Sequence, residues 1–94
     1  MTTSLNHGRI PQWCDVAKAA KEGDRVRFIT SWDIFPLCVV PQGTLGTVTE
    51  NDWIENIIMV LPDDAEVREH LREWAGQVQL HSLYDGDESP IEIL

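Results

Sequence analysis

The middle of the chain reads Gly43-Thr44-Leu45-Gly46-Thr47-Val48-Thr49-Glu50, a β-branched run with glycines at its start and within it. β-Branched side chains favour strands. A glycine inside a strand is typical of a bulge or of a close approach by a neighbouring backbone, and both occur where a small sheet bends sharply. This stretch therefore predicts a bent strand with Gly46 at the bend.

Strand-like segments lie on both sides of this stretch. Residues 24–31 alternate apolar with polar side chains, which is the pattern of a half-buried strand. The short polar turn Asn51-Asp52 predicts a hairpin between the bent strand and the strand that follows it. Three later segments complete a set of five strands: residues 56–61, 77–83 and 91–94.

Two short helices are predicted beside these strands. The first begins at Pro11 and runs through Ala20 to a stop at Gly23, with proline at its start and glycine beyond its end. Its apolar residues fall at helical spacing and form one stripe: Ile10, Trp13, Cys14, Ala17 and Ala20. The second helix begins at Pro62-Asp63-Asp64 and ends at Gly76, and its predicted buried face consists of Val67, Leu71 and Trp74.

A long apolar segment separates the first two predicted strands. It runs from Trp32 to Gln42 and carries Pro36 and Pro41 around the patch Leu37-Cys38-Val39-Val40. Proline lacks the N–H donor that a central strand needs, so no regular central strand is expected here. We expect a long loop that folds back over one end of the core.

These segments together predict a mainly β fold in a chain of 94 residues, which is the size of one domain. Five short strands with a glycine-containing second strand are typical of a small barrel. The expected architecture is a five-stranded SH3-like barrel with a short N-terminal helix and a short helical insertion between strands 3 and 4. We place the polar N-terminus and its helix at residues 1–22, and the barrel at residues 23–94.

Three motifs carry a resemblance to known barrels: Gly23-Asp24-Arg25-Val26-Arg27, Val40-Pro41, and the run from Gly43 to Val48. Their arrangement resembles the opening of small bacterial and phage SH3-like barrels, including KOW-type domains, and more distantly the barrel of the nitrile hydratase beta subunit. The resemblance covers residues 23 to about 83. It implies a fold and not a function, because such barrels carry many unrelated sites.

The charge balance limits the possible partners. The chain has 16 acidic and 7 basic residues, a formal net charge of −9, and no lysine or arginine after Arg72. Direct nucleic-acid binding is disfavoured, because affinity for a phosphate backbone depends on lysine and arginine. The first nine residues lack the apolar core of a signal peptide, and no apolar run is long enough to cross a bilayer. We therefore expect a cytoplasmic protein that does not bind membranes.

No arrangement of reactive side chains predicts catalysis or metal binding. Structural zinc sites usually contain ligand pairs two to five residues apart, and the histidines and cysteines show no such pair: His7, His70, His81, Cys14 and Cys38. Neither cysteine has the basic neighbours that activate a thiolate. The acidic segment Asp85 to Ser89 lacks the closing glutamate of a calcium loop. The sequence therefore predicts no enzyme, no cofactor and no metal site.

The residues most suggestive of recognition are aromatic and apolar side chains in predicted loops: Trp32, Phe35, Leu37, Val39 and Trp53. They are candidates for a surface that binds a protein partner, which could be a second copy of the chain. Alternatively, these side chains cap the ends of a small core. Two further hypotheses remain open: an acidic mimic of nucleic acid that blocks a DNA- or RNA-binding protein, and an accessory subunit of an enzyme.

Overall fold

A computed structural model describes residues 11–34, 37–52, 54–81 and 88–94 of the chain. Its two helices are α1 (Trp13–Ala19) and α2 (Ala65–His70), and a short 3₁₀ turn (Arg72–Trp74) follows α2. The seven strands are β1 (Arg25–Phe28), β2 (Trp32–Ile34), β3 (Cys38–Val40), β4 (Leu45–Asp52), β5 (Ile57–Pro62), β6 (Val78–His81) and β7 (Ile91–Ile93).

Five of the strands form one antiparallel sheet in the order β6-β5-β4-β1-β7, and β2 pairs with β3 in a separate hairpin. The predictions of a mainly β fold, a five-stranded sheet and a short N-terminal helix are confirmed. The helical insertion lies between β5 and β6, the third and fourth strands of the sheet in chain order. Within the described residues the sheet is open, and β6 and β7 are its two edges.

Alternation of side chains positions the core on one side of this sheet. In β1, Val26 and Phe28 are fully buried while Arg25 and Arg27 are exposed, as the sequence predicts. The same alternation buries Val78 and Leu80 in β6. Successive residues of a strand point to opposite faces, so each strand contributes every second side chain to the core.

Gly46 lies where β4 passes between its two partner strands, opposite Val26 of β1 and Pro62 of β5. A Cβ atom on Gly46 would lie 2.7 Å from Val60 Cγ1 and 2.9 Å from the carbonyl oxygen of Leu61. Real Cβ atoms almost never approach other heavy atoms so closely. The predicted close approach is therefore confirmed, while the shift in register along β4 comes slightly later, between Val48 and Glu50.

Helix α1 packs into the same core as the sheet. Trp13, Val16, Ala17 and Ala20 are buried members of one apolar cluster with the strand residues, and Ile10 lies outside the described part of the chain. The Asn51 side chain on β4 donates hydrogen bonds to the carbonyl oxygens of Ala17 (2.7 Å) and Ala20 (2.8 Å). These bonds satisfy carbonyl groups that lack partners at the end of a helix.

The segment predicted to be a long loop contains the β2–β3 hairpin instead. Trp32 lies opposite Val40, and Ile34 opposite Cys38. The prediction that this segment lies outside the central sheet is confirmed, but the prediction of an irregular loop is wrong. Pro41 follows β3 and so takes no position in the ladder, which leaves the three residues of each strand able to pair.

The second helix begins as predicted and ends differently. The Asp64 side chain caps α2 by accepting hydrogen bonds from the backbone N–H groups of Glu66 and Val67. At Leu71 the backbone leaves the helical region, with φ −107° and ψ 18°, and the 3₁₀ turn that follows is out of phase with α2. Leu71 is fully buried, but Trp74 is 46% exposed, so the prediction that Trp74 shares the buried face is wrong.

An ion pair on the outer face of the sheet makes stability depend on pH. The Arg25 guanidinium donates hydrogen bonds to both carboxylate oxygens of Asp63 and to Thr47 Oγ1. The hydrogen bonds from Arg25 lower the pKa of the Asp63 carboxyl below its ordinary value of 3.8. A carboxyl whose pKa is lower in the folded state stabilises the fold above its unfolded pKa, and that stabilisation disappears as the pH falls through the folded pKa.

Replacing Asp63 with asparagine should therefore lower the melting temperature at pH 7 by a small but measurable amount, because both partners of the ion pair are solvent-exposed. The difference in melting temperature from wild type should narrow as the pH falls below 3.8, and it should vanish once the pH passes the lowered pKa at which folded wild-type Asp63 becomes neutral. Thermal melts across this range test the prediction, with Glu50→Gln as an exposed control on β4. If the difference in melting temperature stays constant down to the lowest pH measured, the charge of Asp63 has no role in stability.

Candidate binding site

The structure places the five candidate recognition residues in different settings. Trp32 is half-buried on β2, and Leu37 is half-buried against the core. Val39 on β3 is 53% exposed. Phe35 and Trp53 lie outside the described residues.

The pairing within the hairpin separates these side chains further. Trp32 shares the face of the hairpin that carries buried Ile34 and Val40. Val39 lies opposite Asp33 on the other face, and both are exposed. Trp32 and Val39 therefore belong to two different surfaces, and the predicted set does not form one continuous site within the described residues.

Trp32 instead faces a side chain that comes from much later in the chain, His81 of β6. The two rings meet edge to face, with centroids 6.5 Å apart and planes at 83°. Edge-to-face contact is a favoured arrangement of aromatic rings. It joins the β2–β3 hairpin to the β6 edge of the main sheet.

A cleft of about 400 Å³ opens next to this contact, and we call it the Trp32–Trp74 cleft. Its lining comes from the hairpin, the 3₁₀ turn and β6: Trp32, Asp33, Ile34, Trp74, Gln79 and His81. The arrangement thus combines two indole rings with the amide of Gln79 and the imidazole of His81. Such a surface suits aromatic and polar contacts with a ligand and offers no activated nucleophile.

Trp74 lines the cleft, although the sequence predicts it on the buried face of the second helix and not on the recognition surface. Its spacing from Val67 and Leu71 predicts a buried helical position, and the interruption at Leu71 changes that position. One sequence signal was available: Trp74 immediately precedes Ala75-Gly76, where the helical segment ends. Both residues adopt positive φ values, 58° and 78°, which end the 3₁₀ turn directly after the tryptophan.

A larger cavity, of about 540 Å³, lies between the end of α1 and the β4–β5 turn. Lys18, Lys21 and Asn51 are among its lining residues. The side-chain oxygen of Asn51 is buried without a hydrogen-bond partner, but solvent does not reach it in this conformation. No aromatic side chain of the described residues lines this cavity, whereas two tryptophans line the Trp32–Trp74 cleft, so the cleft is the better candidate.

The protein is strongly acidic, and its described arginines are already engaged in contacts within the protein. The four arginines in the described residues are each engaged, as Arg25 with Asp63, Arg27 with Glu92, Arg72 with Glu69, and Arg68 with the carbonyl oxygens of Pro62 and Asp63. The whole chain carries a formal net charge of −9. A cationic ligand would therefore approach in a favourable field, and a phosphate backbone in an unfavourable one.

The described residues contain no group of three or more histidine, cysteine, aspartate or glutamate side chains placed to hold a metal ion. Burial raises the pKa of the Cys38 thiol, which disfavours the nucleophilic thiolate form. Neither of the two described helices has the length and apolar character needed to cross a membrane.

Comparisons of the chain with protein-family models, with curated proteins and with solved structures found no match.

Proposed function

We propose that the protein is a non-catalytic interaction domain that binds a linear peptide segment of a partner protein in the Trp32–Trp74 cleft. One observation carries this proposal: Trp74 stays 46% exposed and lines a cleft with a second tryptophan. A domain of this size has few large apolar side chains with which to build its core. Tryptophan is also strongly enriched among the residues that dominate binding energy at protein interfaces.

The shape and charge of the cleft favour a peptide over other ligands. At about 400 Å³ it can take one or two amino-acid side chains while the rest of a segment lies along the surface. Its two indole rings supply apolar area, and Gln79 and His81 supply polar contacts beside them. The net charge of −9 opposes binding of a nucleic-acid backbone.

We also propose that the open sheet belongs to an SH3-like barrel. The strand order supports this: β7 pairs with β1, and β4, β5 and β6 follow in sequence on the other side. The β2–β3 hairpin is an excursion between the first two strands of the sheet, where such barrels carry a long loop. On this proposal the Trp32–Trp74 cleft lies between that excursion and the insertion that precedes β6.

A selection from a displayed library of random peptides tests the proposed function. The wild-type protein should enrich a set of related peptides, and Trp74→Leu should bind them at least about tenfold more weakly, as expected for an interface tryptophan. Trp74 is exposed, so the variant should keep the melting temperature of the wild type within a few degrees. Binding is measured by fluorescence anisotropy with labelled peptides.

Val39→Ala is the matched control, because it shortens an exposed apolar side chain on the other face of the hairpin. It should leave peptide affinity unchanged. If Val39→Ala weakens binding and Trp74→Leu does not, the outer face of the hairpin is the binding surface and the proposal is wrong. Dimerisation in light scattering that Trp74→Leu abolishes would identify a second copy of the chain as the occupant, against the proposal.

A further inference from the structure

The cleft is bordered by an edge of the main sheet. Within the described residues β6 pairs only with β5, through a register that runs from Ile57 opposite His81 to Val60 opposite Val78. Gln79 and His81, which line the cleft, are therefore residues of an edge strand. An edge strand directs the N–H and C=O groups of alternate residues away from its partner, where an extended segment can pair with them.

The aromatic walls of the cleft favour a cation. The faces of Trp32 and Trp74 attract positive charge, because the electron density of an indole ring is concentrated above and below its plane. No lysine or arginine of the described chain lines the cleft. The described arginines are engaged with carboxylates or carbonyl oxygens elsewhere, and Lys18 and Lys21 line the cavity beside α1, so none of these cations occupies the cleft.

We propose that the peptide is an extended, basic segment that pairs with the outer edge of β6 and places an arginine side chain between Trp32 and Trp74. This inference rests on the proposed peptide-binding function and names the conformation and chemistry of the ligand. Arginine suits the cleft better than lysine, because its planar guanidinium stacks on aromatic rings and is less strongly hydrated. Alternate side chains of the segment point away from the cleft and should tolerate substitution.

Three synthetic peptides test this inference: Ac-Thr-Val-Arg-Val-Thr-NH₂ and the same peptide with citrulline or leucine at its centre. Citrulline has nearly the shape of arginine without its charge. Titrations follow the indole N–H signals of Trp32 and Trp74 by NMR, with Trp32→Phe and Trp74→Phe variants to assign them. The arginine peptide should bind about tenfold more tightly than the citrulline peptide, and added salt should reduce this difference.

Hydrogen exchange measured in the same samples tests the strand pairing. Binding of the arginine peptide should slow exchange of alternate amide protons in residues 78–81, and replacement of the peptide's second valine by its N-methyl form should weaken binding. Equal affinity for the arginine and citrulline peptides, or unchanged exchange in β6 under saturation, would overturn the inference. If the leucine peptide or library-selected peptides still shift the Trp74 signal, the proposed peptide-binding function stands and only the inference about arginine and strand pairing fails. If no peptide shifts the Trp74 signal, the proposed function and the inference about its ligand both fail.

Discussion

Replacing Gly46 with valine is expected to lower the free energy of unfolding by about 3 kcal/mol or more. The reason is steric: a Cβ at this position meets Val60 Cγ1 at 2.7 Å and the Leu61 carbonyl oxygen at 2.9 Å. The oxygen belongs to the backbone of the paired strand, so it cannot move aside without disturbing the β4–β5 ladder. A domain of this length has a total stability of roughly 5–15 kcal/mol, so the variant should be severely weakened.

Thermal and denaturant unfolding measure the effect of Gly46→Val. Leu45→Val serves as the control, since it introduces the same side chain one residue earlier, at an exposed position of the same strand. The control should unfold within about 0.5 kcal/mol of wild type, as is usual for surface positions. If Gly46→Val unfolds like the control, β4 does not pass close to β5 at this point and the strand pairing described here is wrong.

Replacing Trp13 with alanine should cost about 3–5 kcal/mol, the range for large aromatic side chains in a core. Trp13 is only 1% exposed and belongs to the same apolar cluster as the strand residues. Its indole N–H also donates a hydrogen bond to Asn56 Oδ1 in the β4–β5 turn, and the substitution removes that bond. Although residues 1–22 precede the predicted barrel, the stability of the sheet should therefore depend strongly on α1.

Trp74→Ala provides the matched comparison for Trp13→Ala, because the same side chain is removed from a position that is 46% exposed. It should cost about 1 kcal/mol or less, given that much of the indole already contacts water. Urea unfolding of both variants gives the two values. If both substitutions lower the free energy of unfolding by similarly small amounts, α1 is not part of the core that stabilises the sheet.

Several strands could be predicted because an alternation of apolar and polar residues, or an apolar run, indicates which side chains are buried. Arg25-Val26-Arg27-Phe28 points two side chains inward and two outward, and the structure buries them accordingly. The predicted position of the β4–β5 turn is wrong: Asn51 and Asp52 belong to β4 and pair with Ile58 and Ile57, so the turn comes later. The pairing of β7 with β1 depends on contacts between distant segments, which no local pattern records.

The strands of the β2–β3 hairpin are harder to predict from the sequence than those of the main sheet. Each strand has only three residues, and each is held by the other instead of by the main sheet. The run Leu37-Cys38-Val39-Val40 has no clear alternation, so a loop and a strand are equally consistent with it. Prolines near both ends of the run favoured the loop, although Pro41 falls just after β3.

Of the two tryptophans in the candidate site, the sequence predicts the role of only one. The place of Trp32 in an apolar segment predicts a recognition residue, whereas the spacing of Trp74 from Val67 and Leu71 predicts a buried helical position. The backbone at Leu71 decides the position of Trp74, and a single departure from helical angles cannot be deduced from apolar spacing. The meeting of two residues 42 positions apart in one cleft follows from the topology of the sheet and its excursion.

The central claim is that the Trp32–Trp74 cleft is the binding surface, and chemical-shift mapping with a library-selected peptide tests it most directly. Backbone and indole signals of the wild-type protein are recorded while the peptide is added to saturation. The largest changes should fall on the cleft residues, with the Trp74 indole among them and exposed Val39 and Leu45 unaffected. Changes centred on Val39 or on the α1 cavity around Lys18, with the Trp74 indole unmoved, would contradict the account.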